Sequence, residues 1–98
     1  MKKAERTIQI SGDVLKQVAA ISARETAGVA GLAESNPVKI VNLGGAISAE
    51  VRILVNNGSR AASVAARVQK TVKQSIQDMT GVTAVHVHVE ISGMQEEV

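Results

Sequence analysis

Cysteine is absent from all 98 residues, and so are Phe, Tyr and Trp. Without cysteine there is no disulfide, no thiolate nucleophile and no Cys-ligated zinc or iron–sulfur centre. Without aromatics there is no stacking platform for nucleic-acid bases, no aromatic cage for a cation and no Tyr acid or base. Long hydrophobic runs are missing too. Nothing approaches the 18 or so consecutive apolar residues of a transmembrane helix. Met1-Lys2-Lys3 is basic, but Glu5, Arg6, Thr7 and Gln9 follow, so the start does not read as a signal peptide. A cysteine-free chain of this kind fits the cytosol.

What is present is a globular composition, 45% hydrophobic and 20% charged, sized for a single domain. The apolar set is 15 Val, 14 Ala, 8 Ile, 4 Leu and 3 Met. So much alanine predicts a thin core with helices lying close to their partners. Net charge is +2 but unevenly distributed. All 11 Lys and Arg lie within residues 1–73, whereas Asp78, Glu90, Glu96 and Glu97 stand in a carboxy-terminal stretch without any. Such asymmetry can serve a partner or head-to-tail self-association.

Thr7-Ile8-Gln9-Ile10 alternates and predicts a short strand. Ser11 and Asp13 then open a helix expected over 12–26, carrying Val14, Leu15, Val18, Ile21 and Ser22, with Gly28 as its stop. Residues 28–37 read as a loop. Strands are expected at 38–43 and 47–55, joined by a Gly44-Gly45 hairpin. Asn56-Asn57-Gly58 turns the chain, and Ser59 offers a cap for a helix over 60–80. Its stripe is Ala61, Val64, Ala65, Val68, Val72, Ile76 and Met79, opposite Arg67, Lys70, Lys73, Gln74 and Gln77. Gly81 ends it. Val85, Val87, Val89 and Ile91 alternate with His86, His88 and Glu90 in a last strand suited to a central position. The ordered core is expected over about 6–92, with a polar acidic tail over 93–98.

The order β-α-β-β-α-β, with one apolar stripe per helix, predicts an α+β fold: a ferredoxin-like split-βαβ sandwich of two layers. Both helices lie on one face of a four-stranded sheet and leave the other face open. Val18, Ile21, Val68, Val72, Ile53, Val87 and Val89 should be among its most buried residues. Counting 100° per residue from Val18 leaves Glu25 about 20° from the middle of the apolar stripe. A structural role follows for it: accepting loop N–H groups near Gly28–Gly31, or pairing with Arg52.

The run Ile8-Gln9-Ile10-Ser11-Gly12-Asp13-Val14-Leu15 resembles the opening of the alkaline shock protein family, the envelope stress response proteins of Gram-positive bacteria. Glu25-Thr26-Ala27-Gly28-Val29-Ala30-Gly31-Leu32 is similar to its next motif. Val64-Ala65, Val68-Gln69, Val72-Lys73, Met79-Thr80-Gly81 and Val85-His86-Val87-His88-Val89 follow its ending, with one residue fewer before the last strand. The chain departs from the family at Gly12, which replaces a Pro, at Asn57, which replaces a Tyr, and at Ala61-Ala62-Ser63, which replaces I-P-E. The resemblance implies a non-catalytic cytoplasmic module of envelope homeostasis that acts through protein–protein contacts. It also implies a membrane-anchored protein partner and self-association; no direct membrane insertion is expected, because the sequence offers no aromatic or exposed apolar face to insert.

Other chemistry can be weighed against that. His86, His88 and Glu90 share one strand face, and His-x-His can chelate zinc, but a further His or Cys ligand does not exist. Gly28-Val29-Ala30-Gly31 spells the GxxG clamp of RNA-binding KH domains, yet Val and Ala occupy its middle. Asn57-Gly58-Ser59-Arg60 could bind an anion as any helix start can, and Arg67, Lys70 and Lys73 could meet acidic lipid or nucleic acid. No catalytic, cofactor-binding or metal residue is assigned, and no enzyme is expected. The alternatives are a small RNA-binding α/β domain, testable by a salt-dependent gel shift, and a metal-dependent enzyme, testable by metal assay.

Overall fold

A computed structural model describes residues 10–96. Within them the order is α1 (Gly12–Arg24), β1 (Val29–Leu32), β2 (Val38–Asn42), β3 (Ala46–Asn56), α2 (Ala61–Thr80) and β4 (Ala84–Gln95). The four strands form one sheet, and α1 and α2 pack against each other and on the same face of it, a two-layer α+β sandwich as predicted. Apart from Ile10, the strand expected over 7–10 lies outside the described residues, and Ile10 itself is not strand.

Among the described residues the fourth strand comes from the segment read as a loop. β1 pairs antiparallel with β3 through Val29↔Val55 and Leu32↔Ile53, with an irregularity between Val29 and Gly31. β2 pairs antiparallel with β3 from Val38↔Val51 to Asn42↔Ile47. Thus β1 and β2 lie end to end along one edge of β3, interrupted by residues 33–37. Arg52 spans that interruption: its carbonyl accepts from Ala33 N–H at 3.0 Å, and its N–H donates to the Pro37 carbonyl at 2.7 Å. Its guanidinium also donates to the Ser35 carbonyl at 3.3 Å.

β4 runs parallel to β3 along the whole of the other edge, from Ala46↔Ala84 to Asn56↔Gln95. Among the described residues the central strand is therefore β3, with the last strand beside it. Within the described residues β3-α2-β4 is a directly paired βαβ unit with no strand splitting it. β4 also continues through Gly93, Met94 and Gln95, where the tail was expected, by means of a register shift after Ile53↔Ile91. The glycine hairpin stands as predicted, with Gly44 at φ 84° and its N–H donating to Asn42 Oδ1.

The two helices differ in how they meet the sheet. α2 buries Val64, Val68, Val72 and Ile76 completely, as its stripe predicts, while Met79 stays 44% exposed near its end. Its N-cap is Arg60 rather than Ser59, with no side-chain cap, and Gly81 closes it at φ 75°. α1 starts as expected, Ser11 Oγ accepting from Val14 N–H. It ends earlier, at Arg24, where Thr26 Oγ1 donates to the Ser22 carbonyl.

The phase of α1 corrects the prediction. It buries Leu15, Ala19, Ser22 and Ala23, whereas Ile21 is 49% exposed and Val18 half-buried. Val89 is likewise only half-buried, packed against the rim of the core. α1 must settle beside an α2 already lined with valines. Small side chains permit that approach, and Ser22 Oγ donates to Ser75 Oγ at 2.7 Å across the helix–helix contact. Gly28 serves the same closeness. At φ 94°, a Cβ there would stand 2.5 Å from Val64 Cγ2. Its role is to let β1 start against α2, with no clamp between helices.

Candidate interaction surface on the open sheet face and its edge

Alternation along each strand sends one set of side chains to the helices and the other outward. On β4, Val85 and Val87 are buried, and His86, His88 and Glu90 are exposed on the opposite face, as the sequence predicts. The register places Ser48 beside His86, Glu50 beside His88 and Arg52 beside Glu90. From the other edge, Lys39 stands beside Glu50 and Val41 beside Ser48. The open face therefore carries ordered rows in which carboxylates stand beside cations and an imidazole: Lys39–Glu50–His88 and Arg52–Glu90. The Arg52 Nε to Glu90 Oε2 distance is 3.8 Å with both side chains well solvated, a contact worth at most about 1 kcal/mol.

Among the described residues no group of three or more His, Cys, Asp or Glu is placed to hold a metal. His86 and His88 have the predicted common face without a converging third ligand. Glu25, expected to brace the 28–31 segment or pair with Arg52, is exposed and makes no side-chain hydrogen bond or ion pair among the described residues. Arg52 turns to Glu90 and Ser35 instead. The cause is the α1 phase, which rotates Glu25 outward together with Ile21. Gly28-Val29-Ala30-Gly31 enters a strand, so the clamp geometry of a KH domain is not formed.

The basic face of α2 is divided. Arg67 reaches toward the other helix, donating from Nη1 to the Ala27 carbonyl at 2.9 Å. Lys70 and Lys73 stand on the other flank, over the outer edge of β4, where they line an open cleft of about 460 Å³ with Ala66, Gln69 and His86. Gln69 Nε2 donates to the Val87 carbonyl at 2.7 Å across that cleft. A strand edge flanked by cations was not legible in the sequence, because Lys70 and β4 meet only through the crossover. A second cleft, about 440 Å³, lies among Ile10, Ser11, Leu15, Asn42, Ile47, Thr80 and Val82 at the amino end of α1. It holds no titratable group.

Fold and surface together define a small α+β domain whose charged groups lie on a sheet face and a strand edge, outside any enclosed pocket. The chain belongs to the alkaline shock protein 23 family, described as having a cell envelope-related function, whose profile matches residues 1–96. No curated protein matches it. Among solved structures it is similar to the MamM CTD in a copper form, with TM-score 0.66, 18% identity, and 88% of this chain and 86% of that chain covered. It is also similar to a variant MamM CTD in a nickel form, with TM-score 0.57, 15% identity, and 88% and 99% of the two chains covered. At these identities the likeness is one of fold. No helix among the described residues is long and apolar enough to cross a membrane.

Proposed function

We propose that this chain is a non-catalytic module of cell envelope homeostasis and stress response that acts through protein–protein contacts in the cytoplasm of a Gram-positive bacterium. The observation that carries this reading is the placement of its charged side chains in cross-strand rows on an open sheet face, a surface suited to a macromolecular partner. Family membership supports the envelope context. A membrane-anchored protein partner supplies the proximity to the bilayer. The helix face cannot supply it: Lys70 and Lys73 contribute about 2 kcal/mol at an anionic surface before screening. Self-association through the same surfaces belongs to the reading.

The test is capture from native membranes with the full chain as bait. A membrane-anchored protein retained by wild type, and lost with Glu50→Lys while the melting temperature holds, is the expected result. Purified chain that co-sediments with anionic liposomes at physiological salt, with no partner present, would overturn it. A salt-dependent shift of RNA at micromolar protein would favour nucleic-acid binding instead.

A further inference from the structure

The outer edge of β4 carries its own instructions. Arg52 sends both backbone groups toward β1 and β2, so Val51 and Ile53 turn theirs to β4, and His88 and Glu90 answer them. Val87 and Val89 therefore present their N–H and C=O groups outward, whereas the Val85 N–H donates to the Thr83 carbonyl at 3.0 Å. The Val87 carbonyl confirms this, because it accepts from Gln69 on that side. Within the described residues β4 has no neighbour but β3. An unpaired edge of this length is a template for another strand.

We infer that the occupant is β4 of a second copy, paired antiparallel about a two-fold axis at Val89. This rests on the self-association proposed above and assigns it a surface. Up to Ile91, where the register shifts, only odd-numbered residues can face one another as hydrogen-bonded pairs, which restricts the axis to such a residue facing itself or an even-numbered one standing between two such pairs. The facing side chains then select among these. An axis at His88 would set His86 opposite Glu90 of the second copy but His88 against itself, where neither ring meets a carboxylate across the edge. An axis at Val89 sets His88 opposite Glu90 of the second copy, twice. Each row then reads Lys39, Glu50, His88, followed by Glu90 and Arg52 of the second copy, so that each carboxylate stands between a cation and an imidazole across both sheets. Opposite charges facing across strands favour pairing, and like charges oppose it.

The helix layer is compatible with this closure. Ala62 and Ala66, one turn apart and both exposed, leave room above the edge for the second α2. The cleft lined by Lys70, Lys73 and His86 receives the far end of the second β4, beyond which Glu96 lies. Gln69 competes for the Val87 carbonyl and must release it, so it acts as a brake on pairing.

Cysteine-free sequence makes the test clean. Facing residues in a hydrogen-bonded antiparallel pair are about 5.5 Å apart at Cα, within disulfide reach. The full chain carrying Val89→Cys, treated with oxidised glutathione, should give a covalent dimer. His86→Cys should not, since the two copies of that position lie about 20 Å apart along the strands. By sedimentation, His88→Glu should weaken the wild-type dimer at least tenfold with its melting temperature retained, and Gln69→Ala should strengthen it. A wild-type dimer that Val89→Cys fails to lock overturns the edge assignment but leaves self-association standing. A wild type that stays monomeric to millimolar concentration overturns both, while partner capture remains an independent measurement. An intramolecular disulfide in Ile8→Cys/Val89→Cys would give the edge to the chain's own 7–10 segment and overturn the proposal.

Discussion

α1 and α2 have similar apolar content but solve packing in opposite ways. α2 lies along β4 with branched side chains and buries Val64, Val68, Val72 and Ile76. α1 covers β1 and β2 and touches α2, burying Leu15 with Ala19, Ala23 and Ser22, and leaves Val14 and Ile21 on the surface. Where the sheet face is open, size decides which stripe turns inward. Where a neighbouring helix already fills the space, smallness decides. A helix's largest residues need not mark its buried face.

Leu15→Ala tests that contrast hardest, because Leu15 is the one large side chain α1 buries. A loss of roughly 2–5 kcal/mol is expected from chemical denaturation. A loss below 1 kcal/mol would show that α1 is held by its alanines alone. Gly28→Ala comes next, at roughly 2–4 kcal/mol, from a Cβ driven into Val64 and a φ of 94° that L-residues resist. Its cost should fall when combined with Val64→Ala, which opens the space while leaving the backbone strain.

Val68→Ala samples the valine stripe of α2, and roughly 1–3 kcal/mol should be lost as transfer energy and residual void. Ile21→Gln is the smallest and most discriminating change. With the residue 49% exposed, its effect should stay within about 0.5 kcal/mol. A cost equal to that of Val68→Ala would restore the phase that hydrophobicity alone suggests.

The second helix, the glycine hairpin and the alternation of β3 and β4 were legible because each repeats one period over many residues. β1 was not. Val29-Ala30-Gly31-Leu32 has no alternation and two small residues, and it is a strand because β3 extends past β2 and leaves an edge at Val55 and Ile53 to be paired. The charged surface was half legible. The common face of His86, His88 and Glu90 follows from a period of two, whereas their partners Glu50 and Arg52 depend on a register between distant strands.

By itself, the sequence determined the exclusions, the two-layer composition of the fold, the position of α2 and which side of β4 is polar. Those are local quantities, set by residue type and spacing. Tertiary structure alone decided which of the described strands is central, which face of α1 is buried, that Glu25 has no structural partner among the described residues, and that Lys70 and Lys73 stand over the outer edge of β4. Each of these turns on space left by elements far away in the chain. Periodicity along one segment carries no record of how much room its neighbours leave.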